Sequence, residues 1–281
     1  MARTFSRPTL GELLRAIAEH GVQSVQFNLS CVGLPTLPQE ISDELAGQVR
    51  REFADRKLDL AAVSGTFNMI HPDLKSRRED LQRFKGLMAA CARMGAPVIT
   101  LCTGTRDPEN MWRRHPENDL PEAWADLVAA LGEVLPLAEK NRITLGVEPE
   151  PSNVVASARK ARRLLDELKS PRLKIVMDAA NLFRIEDLPR MRETLDEAFD
   201  LLGDDIVIAH AKDFQVTGEL RYVAAGKGSL DYDYYLSLLN ACGFTGPLIL
   251  HELRESEVPE SVAFLREKLK PFRRPATAQN E

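Results

Sequence analysis

No stretch of this chain is apolar over anything near the eighteen or so residues that cross a bilayer. Nor does the opening MARTFSRPTL hold the apolar run of a secretion signal. A cytoplasmic protein with no membrane partner is the expectation. Cysteine is scarce too. Cys31, Cys91, Cys102 and Cys242 form no C-x-x-C pair and no zinc-finger spacing, which argues against a disulfide framework and for free thiols in a reducing compartment. An excess of positive charge is also missing: the formal net charge is -5 and no basic patch stands out, so a sequence-independent grip on nucleic acid phosphates is not expected. Linkers rich in Pro, Gly or Ser and low-complexity tracts are absent, and no repeat is present beyond an alternation of short and long periodic segments.

What is there suits a full core and a solvated surface, with 44% hydrophobic and 28% charged residues. A chain of 281 residues exceeds the usual domain but fits a single α/β barrel. Short β-branched or apolar runs at Val22–Leu29, Leu58–Gly65, Val98–Thr103, Ile143–Glu148, Lys174–Asp178, Ile206–His210 and Pro247–Glu252 alternate with stretches of helical spacing. The helical stretches are Thr9–His20, Ser42–Lys57, Lys75–Met94, Pro121–Asn141, Ser157–Leu168, Asp187–Leu202, Tyr232–Cys242 and Pro259–Leu269. Ser42 and Asp231 stand where helices start, and Gly21, Gly95 and Gly243 where they stop. The pattern is that of a (β/α)8 TIM barrel over residues 1–270, its first strand short or abbreviated at Ala2–Phe5. A polar tail over 271–281 is expected to be mobile.

In such a barrel, residues at the carboxyl ends of the strands converge on one face. Four strand ends carry a metal-competent side chain: Glu148 in TLGVEPE, Asp178 in KIVMDAAN, His210 in IVIAHAKD and Glu252 in LILHELRE. Their separations of 30, 32 and 42 residues are each about one βα unit. Alone, each has a bland reading as a cap, a surface ion pair or a satisfied core histidine. Together they describe three carboxylates and an imidazole around one point, which without a cation would repel and be costly to bury. One divalent ion, Mn²⁺, Mg²⁺, Co²⁺ or Zn²⁺, satisfies that set, and the absence of a thiolate leaves its identity open.

The segments GVEPEPSN, IVMDAANLF, IAHAKDF and LILHELRE resemble the metal-bearing strands of the sugar phosphate isomerase/epimerase proteins, the xylose isomerase-like TIM barrels that include ketose 3-epimerases. The resemblance extends to GTFNMIHPD, TLCTGTRDPENMW and GKGSLDY. It implies a metal held by Glu148, Asp178, His210 and Glu252, with Glu148 and Glu252 as the acid/base pair. The implied activity is isomerisation or epimerisation of a small sugar-like keto or hydroxy substrate through an enediolate that the metal stabilises. It also implies a homo-oligomer. Two departures separate the chain from ketose 3-epimerases. Asn181 stands three residues after the metal aspartate, where those enzymes have a histidine that contacts substrate, and PEPSNVV carries no clear match to their additional glutamate.

Further polar residues are candidates for binding substrate: Asn68, His71, Arg106, Trp112 and His115 in loops after strands, Asn181, and Lys212, which shares strand parity with His210. For His71 and His115 a solvated loop position is the plainer reading. The turn Gly226-Lys227-Gly228 before a helix has the form of an anion cradle, but such turns more often merely connect elements. His251, of opposite parity to Glu252, reads as packed toward the outer helices. Three rival functions share the scaffold. A dehydratase acting on inosose-like rings begins with the same proton abstraction, an endonuclease-like metal hydrolase would need more histidines and a basic surface, and a binding barrel would have lost its chemistry.

Overall fold

The structure is a computed structural model describing residues 1–272. Strands β1 (Ser24–Phe27), β2 (Asp59–Ser64), β3 (Val98–Leu101), β4 (Thr144–Val147), β5 (Leu173–Asp178) and β6 (Ile206–Val216) pair in sequence order and in parallel. β8 (Leu248–Leu250) adds in parallel to β6. Helices α1 (Leu10–Glu19), α2 (Asp43–Asp55), α3 (Leu74–Met94), α4 (Pro121–Asn141), α5 (Ala158–Leu168), α6 (Met191–Leu202), α7 (Tyr232–Ala241) and α8 (Val258–Lys268) surround them. The helix starts follow the capping chemistry of the sequence. Ser42 accepts from Leu45 N and Asp231 from Tyr234 N, while Thr9 and Glu12 form a reciprocal capping box.

Three features depart from expectation. Ala2–Thr4 is a 3-10 turn rather than a strand, so seven parallel strands build the wall, and no backbone ladder among the described residues joins β1 to β8. Between those two edges lies a largely apolar cleft of about 1030 Å³ that opens at the amino end of the strands, with Phe5, Ile17, Val25, Leu236, Leu265 and Phe272 on its walls. Second, β6 does not stop at His210 but runs on to Val216 and folds back as the antiparallel hairpin strand β7 (Leu220–Ala224). Third, Lys270–Phe272 forms a closing 3-10 turn with Phe272 packed against the core; the rest of the expected tail lies outside the described residues. Among the described residues no helix is long and apolar enough to cross a membrane.

Candidate metal and substrate site

Side chains alternate across a strand, so residues two apart share a face. Inside the wall an apolar layer of Ala62, Val98, Val176, Ile208 and Ile249 packs as its own cluster, and Gly146 leaves room there for Val176, whose methyl would lie 2.9 Å from an added Cβ. Two residues further along each strand stands a polar group: Ser64, Thr100, Glu148, Asp178, His210 and His251. Gln26 of β1 joins this layer through its bonds to Thr100 and His210. Apolar floor and polar ceiling are thus successive layers of one barrel.

That count corrects the sequence expectation at one strand. The inward residue two beyond Ile249 is His251, not Glu252. Glu252 takes a left-handed backbone conformation (φ +51°) just past the strand end, and its side chain is 45% exposed with its carboxylate 3.8 Å from Arg3 Nη2. His251, expected against the outer helices, instead stacks on His210 with ring centroids 4.7 Å apart. Its Nδ1 lies 3.7 Å from Asp178 Oδ2. The structure therefore brings together Glu148, Asp178 and His210 of the expected ligands, replaces Glu252 by His251, and removes the second glutamate of the expected acid/base pair from the cluster.

The geometry fits a cation. Asp178 Oδ2, His210 Nδ1 and His251 Nδ1 are buried; the two ring nitrogens have no hydrogen-bond partner, and Asp178 Oδ2 faces only the Lys212 ammonium and the two rings. All three residues offer ligand atoms within 4.8 Å of one another. His210 Nδ1 is 3.4 Å from Asp178 Oδ2 and 3.5 Å from Glu148 Oε1. Donors bound tetrahedrally at about 2.0–2.1 Å stand about 3.4 Å apart, close to the spacing of His210 Nδ1 from its two carboxylate neighbours. Two imidazoles with carboxylates suit Zn²⁺, Co²⁺ or Mn²⁺ better than Mg²⁺, which prefers oxygen. His251 has one competing contact, since Arg3 Nη2 lies 3.4 Å from its Nε2, too long for a strong bond.

Lys212 enters the same polar layer. It is 3% exposed, and its ammonium sits 3.0 Å from Asp178 Oδ2, donates to Asn181 Oδ1 at 2.6 Å and lies 3.8 Å from the centre of the Tyr222 ring on β7. Asn181 in turn donates its amide to Glu148 Oε1 at 2.8 Å, so one side chain ties the lysine to the glutamate. Burial alone would raise the Asp178 carboxyl, but the Lys212 charge and the two imidazoles hold it well below the usual range. Burial likewise opposes a charged His210, yet Glu148 and Asp178 outweigh it and its pKa is raised to about 9 in the metal-free protein. Burial keeps the neighbouring His251 low and neutral. Glu150, two residues past Glu148, is pushed up to about 7 by burial and then by the Glu148 charge.

The remaining expected substrate residues are otherwise engaged. Asn68 accepts from Thr105 N at 2.9 Å. His71 bonds Pro108 O and Asp73 N, and Arg106 binds Ile70 O and pairs with Asp126. His115 accepts from Glu117 N, and Trp112 is 52% exposed. The polar side chains brace the loops above β2 and β3. The Gly226-Lys227-Gly228 turn does cradle an anion, but the anion is the chain's own Asp213. That carboxylate accepts from Phe214, Gly226, Gly228 and Leu230 N–H groups at 2.8–3.2 Å. A Cβ at Gly228 would lie 2.2 Å from Phe214 O and 2.3 Å from Asp213 Oδ1. Sequence reasoning missed Gln26, Glu150, Tyr222 and His251 as members of the site; His251 becomes readable only once the pairing of Ile249 with His210 fixes which isoleucine faces inward.

Comparison with known proteins supports the same frame. The chain is 22% identical over 251 residues to the inosose isomerase of Bacillus velezensis (strain DSM 23117 / BGSC 10A6 / LMG 26770 / FZB42), covering 86% of this chain and 83% of that one. Among solved structures it resembles the IOLI protein with a bound zinc atom, with a TM-score of 0.71, 19% identity and coverage of 95% and 94% of the two chains. It also resembles 3-keto-D-glucoside 4-epimerase YcjR from E. coli in its apo form, with a TM-score of 0.70, 18% identity and coverage of 94% and 96%. Residues 14–268 match the family described as Xylose isomerase-like TIM barrel, nearly the whole barrel built above, and the chain belongs to that family.

Proposed function

We propose that this chain is a divalent-metal-dependent isomerase or epimerase of a small sugar-like ketone, linear or cyclic. The observation that carries the reading is the convergence of two buried, unpartnered ring nitrogens, on His210 and His251, with a buried carboxylate oxygen of Asp178, at a spacing that suits one ion. The inosose isomerase relative favours a polyhydroxylated ring ketone among the candidates. The zinc-containing relative supports a metal of borderline softness. Asp178, His210 and His251 would hold the ion, with Glu148 beside them. Once bound, the ion supplies Lewis-acid polarisation of a carbonyl and its neighbouring hydroxyl.

The protein's own groups then have separate tasks. Glu148, oriented by the Asn181 amide, is a carboxylate placed to take a proton from carbon. Glu150, half-protonated near pH 7, is tuned to return one, since an acid/base group works best near the operating pH. Lys212, fixed by Asp178 and Asn181, places positive charge where an oxygen gains negative charge. This division replaces the Glu148–Glu252 pair expected from sequence.

The test is to load the purified protein with Zn²⁺, Co²⁺, Mn²⁺ or Mg²⁺ and follow deuterium uptake from solvent into ketoses and inososes by NMR. One of these substrates is expected to exchange hydrogen at the carbon beside its carbonyl. Glu148→Gln should then slow exchange about 10²–10⁴-fold with the fold intact. Failure of the protein to bind any of the four ions, or metal-loaded protein that exchanges none of the substrates, overturns the reading.

A further inference from the structure

Gln26 lies on β1, across the barrel from the ligands, and no sequence signal marks it. It is 2% exposed, and its amide makes a directed chain of contacts. Nε2 donates to Thr100 Oγ1 at 2.9 Å and lies 3.5 Å from Ser64 Oγ. Both partners are hydroxyls of the neighbouring strands β2 and β3, and they accept from the amide nitrogen. That leaves Oε1 turned toward His210, 3.0 Å from Nε2.

An amide oxygen only accepts, so the ring nitrogen facing it must carry a proton. In a neutral imidazole the other nitrogen is then a lone pair. That other nitrogen is Nδ1, which is buried without a partner and stands 3.4 Å from Asp178 Oδ2 and 3.5 Å from Glu148 Oε1. A lone pair aimed at two carboxylate oxygens repels them unless a proton or a metal cation lies between. We infer that Gln26 is a positioning residue that holds the His210 ring as its Nε2–H tautomer and so presents Nδ1 as the ligand atom. The inference deepens the proposed metal site and rests on that reading for its purpose. The tautomer itself can be read in the metal-free chain wherever His210 is neutral.

Groups that orient a ligating imidazole through its other nitrogen matter at about 10–100-fold in metal affinity. Two measurements separate the inference from the functional reading. In the first, ¹⁵N-labelled metal-free protein is examined by long-range ¹H–¹⁵N correlation at a pH where His210 is neutral. The ring should be protonated on Nε2 in the wild type and in Gln26→Glu, which keeps an acceptor oxygen. In Gln26→Leu it should become a mixture of both tautomers or the Nδ1–H form. In the second, Zn²⁺ affinity is measured by competition with a chromogenic chelator. Gln26→Leu should bind about 10–100-fold more weakly and Gln26→Glu within about 3-fold of wild type or more tightly, with circular dichroism confirming that both variants fold.

A wild-type ring protonated on Nδ1, or a tautomer unchanged in Gln26→Leu, overturns the inference. So does a Gln26→Leu affinity equal to wild type. A wild type that binds no zinc while its tautomer still responds to Gln26 removes the functional reading and leaves the orienting role standing. If Gln26→Leu does not fold, Thr100→Val removes the anchor of the amide nitrogen instead and should loosen the tautomer preference; an unchanged preference there also overturns the inference.

Discussion

At the scale of single residues, the centre of this molecule is a charge problem with two solutions. Without a metal, His210 takes the positive charge, and its pKa of about 9 lies above the ordinary 6.5. A group raised in the folded state stabilises it fully below about pH 6.5, and that contribution is lost as pH rises through about 9. The metal-free protein should therefore lose melting temperature between roughly pH 7 and 9.5 in a way that the metal-loaded protein does not. A bound ion must displace that proton, so calorimetric titration at pH 7 in buffers of different ionisation enthalpy should show about one proton released per ion. Zero release would mean that His210 is not a ligand. Lys212 supplies the second constraint: a buried ammonium paired with a buried carboxylate is costly to break from one side. Lys212→Met is expected to destabilise the metal-free protein by about 3–5 kcal/mol, read by chemical denaturation, and metal should recover part of that loss by neutralising Asp178. An unchanged midpoint would show that the Lys212–Asp178 contact is not a working pair.

The elements explain how much of this was legible in the chain. Strand alternation with helices gave the barrel, and the ends of α4 fall where Pro121 and Asn141 placed them, because the apolar period and a proline at the first helical position agree there. The convergence of Glu148, Asp178 and His210 was legible for the same reason: each directly follows an apolar strand run. β8 misled because it has only three residues, so its parity could not be counted from the chain alone. Its interior face is set by pairing of Ile249 opposite His210, a tertiary fact. The two readings of that strand make opposite forecasts. His251→Ala removes a ligand and should weaken zinc binding by more than the roughly 10–100-fold that losing an orienting partner costs, while Glu252→Gln, which touches only the Arg3 contact, should leave affinity and turnover within about 2–3-fold, as exposed pairs contribute little. The reverse result would restore Glu252 to the site. The β6–β7 hairpin was missed because Gln215 and Val216, the residues of β6 beyond Phe214, are both exposed, and its order comes from the Asp213 cradle. Gly228→Ala is expected to cost about 3 kcal/mol by forcing backbone against backbone, a drop of roughly 6–12 °C in melting temperature. A variant that melts with the wild type would mean the cradle is not rigid.

For the molecule as a whole, the wall of seven parallel strands leaves β1 and β8 each with an edge that carries no ladder bond to the other. Parallel strands normally draw protection from both neighbours, so stability should fall toward this seam. Native-state hydrogen exchange is expected to open β1 and β8 well before β4 and β5, whose amides sit between paired strands on either side. Uniform protection of all seven would show that side-chain packing across the cleft seals it.

The seam also thins the floor beneath the polar layer. Val98 and Ile249 line the apolar cleft and belong as well to the layer that supports the site from below, so one sheet of side chains separates the underside of the barrel from the chemistry. Pressure on Ile249 from underneath is transmitted through two peptide units to His251. An apolar molecule held in that crevice would press on the residue two positions before the ring that faces Asp178, and displacement of the His251 signals on its addition would show it.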